Sequence, residues 1–309
     1  MGSPEFAVPA LGAMAAACDV ARVVTQPDRP SGRGLEVHES AVAQTARALG
    51  LPIMRPHSMK DPQVIEELRE ARADVFAVVA FGAILTAEVL ALPRAGCVNL
   101  HGSLLPDYRG ASPVQRALWD GRTETGVCTL FMDEGIDTGD VIGCRRESIR
   151  DDDNAASLAA RLAQLGGPLL AESVVQAAEG RAPRTPQDRG AGSYAGKLRK
   201  TDGIVDWSLP ARTVWSHARA VTPWPGATTV FRGKRVLLTR TQAEAAGSGP
   251  PGTLLGNDDE GIRVACAEGA LRVLRLKPEG RAELDAAEWA RGARPQPGER
   301  FETLKEQTT

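Results

Sequence analysis

The chain has 309 residues, 42% of them hydrophobic and 25% charged, with a formal net charge of −2. This is an ordinary globular composition, long enough for two domains, and no stretch approaches the ~20 apolar residues a membrane-spanning helix needs. The five cysteines (Cys18, Cys97, Cys128, Cys144, Cys266) are odd in number and include no C-x-x-C pair. That predicts free thiols in a reducing cytoplasm, not a disulfide frame or a zinc site.

The opening MGSPEFAVPALGAM reads as a turn and then a helix, with no strand ahead of it. No Lys or Arg precedes its apolar run and Glu5 has the wrong sign, which argues against a secretory signal. Phe6 stands where a myristoylation motif wants Ser or Thr. Residues 21–26 (ARVVTQ) and 74–82 (DVFAVVAFG) are short apolar runs closed by turn residues, as buried parallel strands are. Residues 41–48 and 62–72 between them have helical spacing. The alternation continues through strands at 97–100 and 127–132, which predicts a doubly wound α/β domain with a mostly parallel sheet over 1–180. Residues 155–179 read as a helix that Gly166-Gly167-Pro168 can interrupt. Residues 181–203, rich in Gly, Pro and Arg, read as a linker. Beyond it, 214–221 looks helical and 228–231, 235–239, 261–265 and 270–276 look like strands, so 204–309 is expected to be a small β-rich domain.

The chemistry-bearing stretch is CVNLHGSLLPDYRGASPVQRALWDG. On a strand over 97–100, Asn99 and His101 point to one face, at the end of a parallel strand where open α/β sheets bind ligands. A second stretch, MDEGIDTGDVI, crowds Asp133, Asp137 and Asp140 into a Gly-interrupted loop after another strand. An amide can hold an oxyanion, an imidazole can manage a proton, and a carboxylate can orient the imidazole. No G-x-S-x-G and no Cys beside a base accompanies them. That pattern favours direct transfer between two substrates through a tetrahedral intermediate.

The order N-x-H-x-S-L-L-P-x-Y-R-G-x-x-P followed by D-x-G-x-D-T-G-D resembles the formyltransferases that use 10-formyltetrahydrofolate. Among them it is most similar to the methionyl-tRNA formyltransferase family, over almost the whole chain. TQPDRPSGRG resembles that family's loop after its second strand, and VVAFGAIL its strand and turn below the folate pocket. KLRKTDGIVDWSLPA and RAVTPWPGATT resemble the entry to its C-terminal, OB-like barrel domain. The resemblance implies that Asn99 binds the formyl oxygen, His101 serves the developing charge and the proton, and Asp137 orients His101. It places Ser103, Leu104, Leu105 and Pro106 along the folate site, with Phe81 and Gly82 at the pterin pocket. The implied acceptor is the α-amino group of methionine on initiator tRNA, with 10-formyltetrahydrofolate as co-substrate and no metal. A cytoplasmic monomer with no membrane association is expected.

Charge gains meaning under that resemblance. Residues 181–240 carry 12 Lys+Arg against Asp188, Asp202 and Asp206, a local +9 against −11 for the remainder. A tRNA stem is lined with phosphates, each adding a salt-dependent share of affinity. Arg189, Lys197, Arg199 and Lys200 are therefore expected to flank the groove between the domains and contact tRNA, with Arg33 reaching for the acceptor end. Family members usually continue with lysines after GRG, whereas Leu35 and Glu36 follow here. His38, His57 and His217 lack ligand-spaced partners. Trp207, Trp215 and Trp224 are expected to pack in core and interface. Gly32 and Gly34 open no helix and are not a dinucleotide fingerprint.

The resemblance also marks what is missing at the start. Family members carry an apolar strand of about half a dozen residues before the GSPEF turn, central in the sheet between 21–26 and 74–82. Its absence is expected to leave two buried strand edges without partners, each unsatisfied group costing on the order of 1–3 kcal/mol; Met1 is read as an internal methionine. Rival readings keep the trio but change the rest. An amino-sugar-nucleotide formyltransferase needs no basic segment, a folate-dependent hydrolase calls for a closed site, and a non-catalytic RNA-binding module would not need the trio.

Overall fold

In a computed structural model, which describes residues 1–31 and 36–304, the chain forms two units. The first comprises Met1–Gly110, Glu124–Ser148 and Ala159–Ala195; the second comprises Ala111–Thr123, Ile149–Leu158 and Gly196–Thr309.

The first unit runs α1 (Val8–Ala17), β1 (Val23–Val24), β2 (Arg29–Ser31), β3 (Glu36–His38), α2 (Ala41–Ala48), β4 (Ile53–Met54), α3 (Pro62–Glu70), β5 (Phe76–Val78), α4 (Ala87–Leu90), β6 (Cys97–His101) and β7 (Arg109–Gly110). The chain then passes through α5 (Pro113–Trp119) of the second unit, and continues with β8 (Glu124–Phe131), β9 (Val141–Ser148), α6 (Ala155–Ala178) and β10 (Tyr194–Ala195). Local chemistry explains the starts. Ser40 accepts a bond from the Ala43 amide and Asp61 one from Gln63, each satisfying a free donor of the first turn. Pro62 opens α3, where its missing N–H costs nothing. The apolar faces follow the helical period, with Val42, Ala43 and Ala46 buried on α2 and Ile65 and Leu68 on α3.

The sheet is mixed. β5 and β6 pair in parallel, as do β1 and β4, but β8 runs antiparallel to β6 and β9 antiparallel to β8. An apolar run announces burial and not direction, so the reversal at 127–132 left no trace in the periodicity. α6 is the single helix that the sequence suggests, and it runs unbroken through Gly166-Gly167-Pro168. Its glycines serve close approach instead: a Cβ at Gly166 would lie 2.6 Å from Leu100, and one at Gly167 2.9 Å from the Pro9 carbonyl.

β1 and β5 do not pair with each other among the described residues. Met1 and Gly2 lie between them: the Met1 amine donates to Ala77 O, Val79 N to Met1 O, and Gly2 N to Val24 O. The remaining facing edges line a cavity of about 130 Å³, walled by Ala10, Met14, Val23, Leu68, Val75 and Leu170 among others. Burial pushes the Met1 α-amino group down to about 6, because the charged form has lost its water.

One expectation about cysteine fails. Cys128 and Cys144 are joined by a disulfide, while Cys18, Cys97 and Cys266 are free thiols. The two stand directly opposite each other on β8 and β9, with Cα atoms 4.1 Å apart. Strand register supplies this proximity across 16 residues of sequence, so no local spacing motif could show it.

The second unit adds α7 (Ala211–Ala220), β11 (Ala227–Phe231), β12 (Lys234–Glu244), β13 (Leu254–Asp258), β14 (Gly261–Ala265), β15 (Ala270–Pro278), β16 (Leu284–Asp285), α8 (Ala286–Ala293) and β17 (Phe301–Glu302). Its strands follow the antiparallel order β13-β14-β15-β12-β11-β17, with β16 beside β15. A bridge between Thr253 and Arg300, with Leu254 N bonded to Glu299 O and Phe301 N to Gly252 O, brings the two ends of this path together. The result is a curled, OB-like sheet around Trp207, Trp215, Phe231, Leu238, Leu276 and Phe301. Both buried indoles find acceptors, Trp207 at Thr229 Oγ1 and Trp215 at Thr241 O. Trp224 departs from the core expectation, being 52% exposed. No helix among the described residues is long and apolar enough to cross a membrane.

Candidate active site

β6 carries Asn99 and His101 on one face, because strand side chains alternate. β8 lies antiparallel to β6, so its last residue, Phe131, pairs with Val98. The loop that follows therefore starts level with Val98 and folds back over the sheet face. The expected convergence of two strand ends is thus a strand end and a returning loop. Along that loop Asp133 accepts from Gly135 N and Thr138 Oγ1, shaping the turn, and Asp140 pairs with Arg184 at 3.6 Å. Only Asp137 reaches the other two residues.

The trio comes together. Asn99 Nδ2 donates to Asp137 Oδ1 at 3.1 Å, and His101 Nδ1 lies 3.4 Å from Asp137 Oδ2. The same Oδ2 accepts the Gly110 amide at 2.8 Å. His101, 5% exposed, sets its Nε2 2.8 Å from the Tyr108 carbonyl. A ring protonated at both nitrogens therefore has an oxygen acceptor for each. The Asn99 amide has two donors; one is used on Asp137, which fixes the amide plane and leaves the second for a substrate oxygen. No thiolate competes as nucleophile from β6, since burial pushes the Cys97 thiol up to about 12.

Sequence reasoning missed the backbone groups. Tyr108 and Asp137 both have left-handed backbones, φ 59° and 55°, a conformation costing a non-glycine residue on the order of 1–3 kcal/mol. Both residues hold His101, one by its carbonyl and one by its carboxylate. Tyr108 and Gly110 stand inside the quoted D-Y-R-G, but a contribution made by a carbonyl or an amide leaves no side-chain signature. Ile84 and Ile136 stand 90% and 59% exposed on the loops after β5 and β8.

The other expected residues fall as follows. Ser103 is buried and donates to the Asp107 carbonyl; Leu104, Leu105 and Pro106 are half-buried. Leu104 packs where Gly126 of β8 leaves room, since a Cβ there would lie 2.6 Å from it. Phe81 is buried in a core cluster with Leu85 and Val89, while Gly82 is exposed at φ 76°. Arg189 is 83% exposed, 3.9 Å from Asp133. Lys197, Arg199 and Lys200 are exposed in the second unit. Arg33 lies outside the described residues. Among the described residues no group of three or more His, Cys, Asp or Glu could hold a metal.

Residues 8–174 match the formyl transferase family and residues 197–294 match the formyl transferase C-terminal domain. The chain belongs to the formyl transferase family. A methionyl-tRNA formyltransferase of Myxococcus xanthus is 45% identical over 96% of this chain and 95% of its own length. The one from Sorangium cellulosum is 43% identical over 96% of each. Among solved structures, a sugar 3N-formyl transferase with dTDP and 5-N-formyl-THF shares the fold, with a TM-score of 0.67 at 15% identity over 91% of this chain and 97% of that one.

Proposed function

We propose that this chain transfers the formyl group of 10-formyltetrahydrofolate to the α-amino group of methionine on initiator Met-tRNA, and that Asn99, His101 and Asp137 carry the reaction. The observation behind this reading is the carboxylate of Asp137, which holds the Asn99 amide and the His101 imidazole at once. The incoming amine attacks the formyl carbon, so a C–N bond forms and the carbonyl oxygen becomes an oxyanion. The second N–H of Asn99 stabilises that oxyanion. His101, held by the Asp137 carboxylate and the Tyr108 carbonyl, relays the proton that leaves the incoming nitrogen toward the departing folate nitrogen. Collapse of the tetrahedral carbon breaks the bond to the folate nitrogen, which takes up a proton.

Relatives 45% and 43% identical over 95–96% of their length act, by name, on methionyl-tRNA; the sugar-modifying neighbour shares only the fold. The second unit, with Lys197, Arg199 and Lys200 exposed on it, supplies cationic contact for tRNA phosphates, and Arg189 is an exposed cation of the first unit. The protein acts as a monomer in the cytoplasm, away from membranes. The test is an assay offering 10-formyltetrahydrofolate with charged initiator tRNA, elongator Met-tRNA and an amino sugar nucleotide. Formylation of initiator Met-tRNA is expected; formylation of the sugar alone overturns the proposal.

A further inference from the structure

We propose that Gln187 is a positioning residue for the formyl transfer described above, acting through the backbone of the loop that carries Asp137. This rests on the assignment of Asn99, His101 and Asp137 as the reacting trio. Gln187 lies within the stretch whose composition reads as a linker, in the part of it that belongs to the first unit. Its Nε2 donates to the carbonyl of Asp137 at 2.9 Å and to that of Gly139 at 2.8 Å. Its Oε1 accepts from Arg109 Nε at 3.1 Å and Nη2 at 2.9 Å. These partners settle which way the amide faces, since a guanidinium only donates and a carbonyl only accepts.

Arg109 is itself held. Its Nη2 donates to Asp188 O, its Nη1 to Ala191 O, and its backbone amide to Ser193 O. The next residue, Gly110, donates to the Asp137 carboxylate. The bonds form a closed circuit: Asp137 side chain to Gly110, through Arg109 to Gln187, and back to the Asp137 carbonyl. Gln187 therefore grips the main chain of the residue whose side chain grips His101 and Asn99.

That grip has a physical task. Asp137 sits at φ 55°, a backbone state a non-glycine residue holds only when its surroundings impose it. With both carbonyls released, the loop can relax and carry the carboxylate away from the imidazole. A displacement of about 1 Å in a reacting geometry costs on the order of 10²-fold in rate.

The sharpest probe is Gln187→Glu, nearly isosteric, which still accepts from Arg109 but turns an oxygen toward the two carbonyls; Gln187→Ala accompanies it. Formyl transfer to initiator Met-tRNA is measured under saturating and limiting donor and acceptor. The His101 imidazole, which Gln187 does not touch, is followed by ¹⁵N NMR in the same proteins. In both variants kcat is expected to fall about 10- to 100-fold with each KM within about twofold, and the His101 nitrogen signals to move. Unchanged kcat and unmoved His101 signals in Gln187→Glu overturn the inference. So does a loss carried entirely by KM, or one that only tracks the folded fraction in a melting curve. If the wild-type protein formylates no Met-tRNA, the functional reading fails, and the NMR comparison still decides whether Gln187 positions the trio.

Discussion

Asn99 supplies the smallest test of the chemistry. Its amide plane is held by Asp137, so Asn99→Ala removes a preorganised donor and leaves the β6 backbone bonds in place. The rate of formyl transfer is expected to fall on the order of 10²–10³-fold, with an unchanged circular dichroism spectrum; a loss under tenfold would remove Asn99 from the oxyanion role. The three side chains were legible in sequence because alternation along a strand and a dense D-x-x-x-D-x-x-D loop are local patterns. Their support was not. Tyr108 acts through a carbonyl and Gly110 through an amide, groups that every residue of their kind possesses, and only the turn of the chain aims them. Cys128 and Cys144 make the same point, since each is unremarkable until β8 and β9 set them face to face.

Helix α6 shows how packing can reverse a propensity. In an exposed helix, Gly→Ala gains roughly 0.5–1 kcal/mol. At Gly12 of α1 no atom lies within 4 Å of the added carbon, so Gly12→Ala is expected to stabilise by about that amount. At Gly167 the added carbon meets main chain, Pro9 O at 2.9 Å and Ala10 N at 3.2 Å, and main chain cannot swing aside. Gly167→Ala is therefore expected to destabilise by about 1–3 kcal/mol. Urea denaturation midpoints of the two variants should move in opposite directions; movement in the same direction would mean that α1 and α6 do not approach this closely. The G-G-P triplet is a helix breaker in propensity alone. Contact with α1 and β6 is what its small residues accommodate.

Among the described residues, burial disfavours the charged form of three basic groups: the Met1 α-amino group, His217 and Arg219. Burial pushes the Met1 α-amino group from 8.0 down to about 6. It also pushes His217 below its usual range, the ring lying under Trp119 with Nε2 bonded to Asp202 O. A folded-state value below the unfolded one means the unfolded chain binds the proton first, so stability falls as pH falls. For His217 the loss begins near pH ~6.5. His217→Gln should flatten that part of the stability profile; a profile indifferent to it would contradict the burial. RNA contact is tested at the same scale. Replacing Lys197, Arg199 or Lys200 with Ala should each lower the slope of log affinity against log salt by about 0.7–0.9, measured by titrating charged tRNA at several salt concentrations. An unaltered slope would place the phosphate contacts elsewhere. The sequence by itself determined the α/β and β-rich domains, the residue types at Asn99, His101 and Asp137 and the basic segment, because periodicity, residue type and charge are carried by neighbours along the chain. Tertiary structure alone decided the antiparallel run of β8, the return of the Asp137 loop over β6, the disulfide, and the hold of Gln187 on that loop. Each of these joins groups far apart in sequence, and strand direction and register leave no imprint on the residues between them.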